Sequence, residues 1–186
     1  MKIFAETERL LLRELLPTDA PGMFALDSDP LVHRYLGNNP VQTIEQSQET
    51  IAFIRKQYLE NGIGRWAVIQ KATNEFIGWA GLKLVREPVN HHVDFYDVGY
   101  RFIHQYWGQG FATEAARASV AYGFEVLRAP VLYAIADMQN TASRAVLAKV
   151  GLHHVSVFDH EGVPTAWLEA RRSSSKIASA SYQAFT

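Results

Sequence analysis

A short segment with two closely spaced glycines is the most chemically informative part of the sequence. It runs from Ile103 to Ala115 and has Gly108 and Gly110 where a strand-like stretch gives way to a helix-like one. Glycine lets the backbone approach a ligand and adopt positive φ. Free N–H groups at a helix N-terminus then point at one place, which predicts an anion site suited to a pyrophosphate. A plain strand-to-helix turn is the alternative interpretation.

Two better-known phosphate loops do not fit this segment. A dinucleotide-binding fingerprint needs a third spaced glycine and a βαβ unit around it. A Walker loop needs a Gly-Lys pair followed by Ser or Thr, whereas Gly110 is followed by Phe111 and Ala112. Without a phosphate-binding lysine in the loop, a nucleotide-binding protein of these kinds is poorly supported.

Hydrophobic patterns on either side of the loop predict the elements that hold it. Thr113–Leu127 has an apolar stripe at helical spacing, and Thr43 with Gln46 three residues later is a good helix start. Seven stretches are strand-like: Glu8–Arg13, Arg65–Ile69, Phe76–Val85, Val93–Ile103, Val131–Ala136, Leu152–Phe158 and Thr165–Ala170. With a further helix over Asn140–Lys149, this order predicts a mixed α/β (α+β) sheet of about seven strands with about four helices.

Composition places the chain among ordinary globular proteins. The 186 residues are 48% hydrophobic and 20% charged, with a net charge of −1 and no cysteine. This charge balance gives no general attraction to nucleic acid, and the lack of cysteine excludes disulfides and thiolate metal sites. No apolar run approaches the roughly 18 residues of a membrane span. Because the N-terminal residues also lack the apolar core of a signal peptide, we expect a cytoplasmic protein without membrane or nucleic-acid partners.

Four other stretches, together with the glycine segment, carry a resemblance to a known family. Trp107–Ala115 resembles the acetyl-CoA pyrophosphate loop of the GNAT acyltransferase superfamily, in particular of the branch with the ribosomal-protein N-terminal alanine acetyltransferases. Asp97–Tyr100 is similar to that branch's acidic-x-Gly-Tyr strand, and Glu8–Arg13 to its first strand. Asn140–Ser143 followed by Lys149–Leu152 resembles its Asn-x-x-Ser…Lys-x-Gly-Phe helix. These motifs stand in the family's order and at its spacings.

The resemblance implies the GNAT fold, a twisted and mostly antiparallel sheet whose fourth and fifth strands splay apart. Here those strands are Val93–Ile103 and Val131–Ala136, and the pantetheine arm of acetyl-CoA lies in the gap. Phosphate contacts come from N–H groups of the loop, and pantetheine contacts from the strand end and the last helix. The implied cofactor-binding residues are Phe102, Ile103, Trp107, Gly108, Gln109, Gly110, Phe111, Ala112, Thr113, Asn140 and Ser143.

Direct transfer to an amine is the chemistry that the resemblance implies. The amine attacks the thioester carbonyl, and a strand N–H near Ile103 stabilises the oxyanion, as fixed donors do in other acyl transfers. Asp97 is the candidate general base on the strand. Pairing of Asp97 with Arg101, or a simple capping of the sheet, is the alternative.

The leaving thiolate is the second catalytic problem. Many superfamily members carry a tyrosine on the last helix that protonates it, but Leu147 stands at that position here. Ser143 is the branch's substitute and our candidate acid, while Asn140 is expected to hydrogen-bond near the end of the pantetheine arm. A CoA thiol should resemble cysteine, with a pKa of about 8.5, so it leaves tolerably well even with a weak acid.

The acceptor amine is the least determined part of the hypothesis. For an α-amino group, loss of a proton at pH 7 costs roughly 1 kcal/mol, against nearer 4–5 kcal/mol for a lysine-like amine. By resemblance, protein N-terminal α-amines lead, with small-molecule amines (amino acids, amino sugars, antibiotics) as the alternative. An alternative of another class is a non-catalytic acyl-CoA-binding module, and a monomer and a homodimer both remain open.

His91 and His92 with Asp94 suggest metal ligands, but adjacent residues of an extended strand point to opposite faces, so a solvated loop and no metal are expected. The resemblance covers roughly residues 7–170, which predicts one acetyltransferase domain over 1–172 and a loosely ordered, serine-rich tail over 173–186.

Overall fold

Eight strands and five α-helices follow one another along residues 1–172, the part of the chain that the computed structural model describes. The expected tail over 173–186 lies outside the described residues. The elements are β1 Ile3–Glu6, β2 Leu10–Glu14, α1 Ala20–Asp27, α2 Pro30–His33, α3 Ile44–Asn61, β3 Arg65–Gln70, β4 Glu75–Val85, β5 Phe95–Phe102, α4 Phe111–Glu125, β6 Val131–Asp137, α5 Thr141–Lys149, β7 His153–His160 and β8 Val163–Arg171. Short 3₁₀ turns lie at Pro17–Asp19 and His104–Tyr106.

All eight strands form one sheet in the order β1-β2-β3-β4-β5-β6-β8-β7. Each neighbouring pair is antiparallel except β5 and β6, which are parallel. The predicted mixed, mostly antiparallel sheet is therefore confirmed. The additional strand is β1, a four-residue edge strand that precedes the first predicted one. Edge strands are often this short, and four residues are too few for an alternating hydrophobic pattern to indicate a strand.

The two faces of the sheet are covered by different helices. On one face α4 packs over a core that includes Trp66, Leu82 and Leu132, all fully buried. On the other face α1 and α3 pack through Met23 and Ile51. Because both faces of the central strands are buried, packing fixes their backbone positions in addition to the hydrogen bonds between strands. No helix in residues 1–172 is both long and apolar enough to cross a membrane.

The sheet is continuous on each side of β5 and β6 but opens between them. The ladder of β5 with β4 extends from Phe95 to Phe102, and that of β6 with β8 covers all of β6. Within the described residues, β5 and β6 share a single register position, Asp97 opposite Tyr133. The splayed strands implied by the resemblance are thus present, and the gap opens toward the C-terminal end of β5.

Helix α4 lies unusually close to the strands that it covers. A Cβ placed on Gly123 would lie 2.7 Å from Leu132 Cδ1 and 3.2 Å from Leu82 Cδ1. Both leucines are fully buried and have little room to move. Glycine at this position therefore lets the helix approach β6 closely.

We predict that Gly123→Ala destabilises the protein by about 1–3 kcal/mol through overpacking, although alanine alone favours a helix by about 1 kcal/mol over glycine. Denaturant unfolding measures the change in free energy. Arg117→Ala, on the exposed face of the same helix, is the control and should change stability by less than about 0.5 kcal/mol. An alanine variant as stable as the original protein would contradict this close packing.

Candidate active site

The backbone of β5 presents free donors to the gap. Ile103 donates its N–H to the Ile77 carbonyl on β4 (3.0 Å), and its own carbonyl accepts from Tyr106 N–H (2.9 Å). Alternate residues of an antiparallel strand bond to the same neighbour, so the N–H groups of Tyr100 and Phe102 face away from β4, toward the gap. The expected donor near Ile103 therefore cannot be Ile103 itself, because its N–H is already used within the sheet.

The loop after β5 has the shape that the two glycines predict. Gly108 and Gly110 both have left-handed backbones, with φ of 74° and 82°, and Gly110 is the N-cap of α4. Within residues 1–172, the N–H groups of Gly108, Gln109 and Gly110 donate no hydrogen bond. The N–H groups of the first helical turn, Phe111–Thr113, have no acceptor inside the helix either. These donors converge at the helix N-terminus, where the helix dipole also favours an anion.

Side chains of the loop hold it in place. The Trp107 indole N–H donates to the Phe102 carbonyl (2.7 Å), which ties the loop to the end of β5. Gln109 Nε2 donates to the Gln105 carbonyl (2.9 Å). The Phe111 side chain is buried in the core, so only its backbone can face a ligand. Of the predicted cofactor residues, Trp107, Gln109 and Phe111 thus use their side chains to shape the loop.

Arg9 is a further residue at this site that the sequence motifs do not indicate. It lies immediately before β2, yet its Nη1 donates to the Gln109 carbonyl (3.0 Å) and its Nε to Glu114 Oε2 (2.7 Å). Its guanidinium also lies over the Phe111 ring, 4.4 Å from the centroid. A guanidinium that is paired with Glu114 is therefore fixed beside the loop before α4. Nothing in the local pattern around Arg9 indicates these partners, which lie about 100 residues away.

Arg9 and Glu114 together form a clamp on the loop before α4, and Glu114 lies in the first turn of that helix. Its Oε1 accepts from Thr7 Oγ1 (2.6 Å) and from Arg9 N–H (3.0 Å). Burial by itself raises the pKa of Glu114, but the hydrogen bonds from Thr7 and Arg9 outweigh it and hold the pKa below its ordinary value. The carboxylate therefore stays charged at neutral pH and keeps Arg9 at the loop.

On the far side of the gap, the start of α5 faces β5. Asn140 is the N-cap, and its Oδ1 accepts from Ser143 N–H (3.0 Å). The Tyr100 hydroxyl donates to the Ser143 carbonyl (2.9 Å) and lies 3.1 Å from Ser143 Oγ. Burial raises the pKa of Tyr100 to about 12. Leu147, at the position of the superfamily's tyrosine, is buried and nonpolar.

Asp97 lies on the opposite side of β5 from Tyr100, because side chains alternate along a strand. Its Oδ2 accepts from Arg65 Nη2 in a largely buried ion pair. Arg65 Nη1 also donates to the carbonyls of Gly81 (2.5 Å) and Asp97 (2.7 Å). Among the described contacts, Oδ1 of Asp97 accepts no hydrogen bond. That oxygen is free to accept one from a ligand.

The alternative pairing of Asp97 with Arg101 is wrong. Arg101 pairs instead with Asp27, at the end of α1. Trp79 separates the two ion pairs, with the guanidiniums of Arg65 and Arg101 lying 5.4 and 5.1 Å from its ring. Strand alternation correctly places Asp97 and Arg101 on one face, but which arginine is the partner depends on the neighbouring strand.

An aromatic cluster continues this face beyond Asp97. Tyr133, opposite Asp97, lies 5.1 Å from the Trp167 ring, and Phe95 lies 5.3 Å from it. His92 stacks on Trp167 with 4.6 Å between the ring centroids. In the described part of the chain no three metal-ligating side chains lie together. Through its stacking on Trp167, His92 departs from the solvated loop expected for this segment, whereas His91 is exposed.

Comparison with known proteins identifies the family. The model of the acetyltransferase (GNAT) domain matches residues 9–153, and the chain belongs to this family. It is 33% identical to the uncharacterised N-acetyltransferase YoaA of Bacillus subtilis (strain 168) over 158 residues, covering 85% of this chain and 84% of the relative.

Two further similarities are more partial. Over 100 residues, 52% of this chain and 42% of the relative, the chain is 38% identical to an FsC-acetyl coenzyme A-N(2)-transacetylase of Aspergillus fumigatus. The crystal structure of a ribosomal-protein-S5-alanine acetyltransferase from Vibrio fischeri shares the fold, with a TM-score of 0.71, 16% identity, and coverage of 92% of this chain and 98% of that chain. The fold and the family implied by the sequence motifs are both confirmed.

We predict that Arg9→Gln weakens acetyl-CoA binding about tenfold, because the loop loses both its clamp and an adjacent positive charge. Calorimetric titration measures the Kd. Lys56→Gln, which removes the same charge from an exposed pair with Glu60, should leave the Kd unchanged. An unaltered Kd in Arg9→Gln would show that the clamp does not shape the loop.

Proposed function

We propose that this protein transfers the acetyl group of acetyl-CoA to the α-amine of a protein N-terminus. Two neighbouring features support the transfer. One is a helix N-terminus with free N–H groups, and the other is the gap between parallel strands directly beside it. The family's reaction requires both: an anchor for the pyrophosphate and a slot for the arm that ends in the thioester.

The proposed cofactor contacts follow from the free donors. N–H groups of Gln109, Gly110, Ala112 and Thr113 would bind the pyrophosphate, with Arg9 adding positive charge nearby. The N–H of Phe102 would bond to the pantetheine arm. These contacts use the backbone, so they hold the cofactor without requiring charged side chains in the slot.

The chemistry proceeds by direct attack. The amine nitrogen bonds to the thioester carbonyl carbon, and the carbon–sulfur bond breaks. The N–H of Tyr100, which faces the gap, is the proposed donor to the developing oxyanion. Asp97 would accept a hydrogen bond from the amine through its free Oδ1, which orients the nitrogen for attack and receives its proton.

The choice of an α-amine rests on the charges around Asp97. Three carboxylates on this side of the sheet are paired with a guanidinium, in the pairs Asp27–Arg101, Asp97–Arg65 and Glu169–Arg171. Arg65 occupies Oδ2 of Asp97 and leaves a single oxygen, Oδ1, for an acceptor. An acceptor that loses a proton easily therefore suits this site. At pH 7, deprotonation of an α-amine costs about 3–4 kcal/mol less than deprotonation of a lysine-like amine.

We predict that peptides with a free N-terminus are acetylated at least about 100-fold more efficiently, in kcat/KM at pH 7, than N-terminally blocked peptides with one lysine. Thiol release from acetyl-CoA measures the rate. With an α-amine, kcat/KM should rise about tenfold per pH unit as the amine loses its proton and level off near its pKa of about 8. Equal rates for both peptides would contradict the assignment of the acceptor class.

We predict that Asp97→Asn lowers kcat/KM for the acceptor by at least about tenfold and leaves the Kd for acetyl-CoA unchanged. The variant should fold, because Arg65 keeps its bonds to the Gly81 and Asp97 carbonyls. Asp94→Asn, in an exposed pair with Arg86, is the matched control. Wild-type acceptor kinetics in a folded Asp97→Asn variant would remove Asp97 from the mechanism.

A small-molecule amine is the second candidate acceptor. It is favoured by the 38% identity to the FsC-acetyl coenzyme A-N(2)-transacetylase, which includes residues of this same domain. The same fold serves many acceptors, so the fold cannot choose between the two. Adding amino acids and amino sugars to the peptide assay decides the question, because one class should exceed the other in kcat/KM.

A further inference from the structure

The hydroxyl groups of Tyr100, on β5, and Ser143, on α5, lie within hydrogen-bond distance of each other beside the gap between β5 and β6. Tyr100 Oη lies 3.1 Å from Ser143 Oγ and donates its hydrogen to the Ser143 carbonyl, 2.9 Å away. With the Tyr100 hydrogen directed at the carbonyl, the Ser143 hydroxyl is placed to donate to the Tyr100 oxygen. Tyr100 is largely buried, so few waters compete for this contact.

The position of this pair along β5 coincides with the expected position of the thioester. The pantetheine arm enters from the phosphate loop and passes Phe102, and the gap closes at Asp97, which faces Tyr133. The end of the arm therefore lies between these two positions, alongside Tyr100. Asp97 is on one side of the strand and Tyr100 on the other. The amine and the leaving sulfur thus have polar groups on opposite sides of the reacting carbon.

A phenol is a far better proton donor than an aliphatic alcohol. Tyrosine has an ordinary pKa of about 10, whereas a serine hydroxyl does not titrate in the accessible range. Tyr100 is protonated at neutral pH, and burial, which raises its pKa to about 12, makes it a weaker acid than a free phenol but still a stronger one than a serine hydroxyl. Leu147 offers no alternative at the usual position on the last helix. Of the two hydroxyls at the gap, Tyr100 is the chemically competent acid.

We propose that Tyr100 is the catalytic residue that protonates the departing CoA thiolate, and that Ser143 is a positioning residue that holds the Tyr100 hydroxyl. The inference rests on the proposed acetyl transfer. As the carbon–nitrogen bond forms, the carbon–sulfur bond breaks and its electron pair stays on sulfur. The Tyr100 hydroxyl turns from the Ser143 carbonyl to the sulfur and gives it the proton. The Ser143 hydroxyl stabilises the phenolate. The amine gives its proton to Asp97, and proton exchange with solvent then returns Asp97 to the carboxylate and Tyr100 to the phenol. The products are the amide and CoA thiol.

Three hydroxyl deletions test this assignment in the steady state. Tyr100→Phe should lower kcat about 100-fold, as the loss of a general acid does, with the Kd for acetyl-CoA unchanged. Ser143→Ala should cost about tenfold or less, the worth of one hydrogen bond. Tyr96→Phe, on the same face of β5 and with no role in the gap, is the matched control and should match wild type. A larger loss in Ser143→Ala than in Tyr100→Phe would make Ser143 the acid and overturn the proposal.

The complex with CoA provides a readout that needs no acceptor. The ultraviolet absorbance of the thiolate reports the ionisation of the bound thiol as the pH is raised. Tyr100→Phe should make the bound thiol about tenfold less acidic than in wild type, because a hydrogen bond to the thiolate is lost. Unchanged thiol ionisation would contradict a contact between Tyr100 and sulfur. A clear difference without acetylation of any amine would overturn the proposed function while supporting this contact.

Discussion

One parallel pairing, Asp97 opposite Tyr133, joins the two halves of the sheet, and the strands part beyond it. Each strand keeps a full antiparallel partner on its other side, β4 for β5 and β8 for β6. The parting therefore leaves the core intact and exposes only the backbone edges that face the gap. Exposed strand edges are ready to bind an extended chain, and the pantetheine arm is the extended chain that we propose for this gap. Helices α4 and α5 stand at the two sides of this opening, and their N-termini supply the polar groups around it.

Charges are distributed around the gap in a consistent way. At its entrance Arg9 and the N-terminus of α4 present positive potential to phosphates, while Glu114 balances the guanidinium from inside the fold. On the acceptor side, Arg65 and Arg101 each neutralise a carboxylate and flank Trp79. In the proposed function, the first end binds the phosphates, and an uncharged amine approaches the thioester at the second, nearly neutral end. We propose that this separation favours a weakly basic acceptor over a strongly basic one.

Sequence patterns predicted the elements that depend on local chemistry. The helix start at Thr43 with Gln46 is confirmed as a capping box, and the left-handed glycines of the loop are confirmed at Gly108 and Gly110. The ordered motifs correctly indicated the family and the splay. Contacts between distant segments could not be predicted from the sequence, because they depend on register and packing. Examples are the contact of Arg9 with Glu114 and the pairing of Asp97 with Arg65 rather than Arg101. Strand β1 was missed because four residues at a sheet edge carry little pattern.

The central claim is that the loop before α4 and the gap beside β5 bind acetyl-CoA. Calorimetric titration of the protein with acetyl-CoA, beside ATP and NAD, tests it most directly. The account predicts saturable binding of acetyl-CoA and much weaker binding of the other two, because only acetyl-CoA combines a pyrophosphate with an arm that fits the gap. Folded protein that binds no acetyl-CoA, or that binds all three ligands alike, would contradict the assignment of the site and of the residues that depend on it.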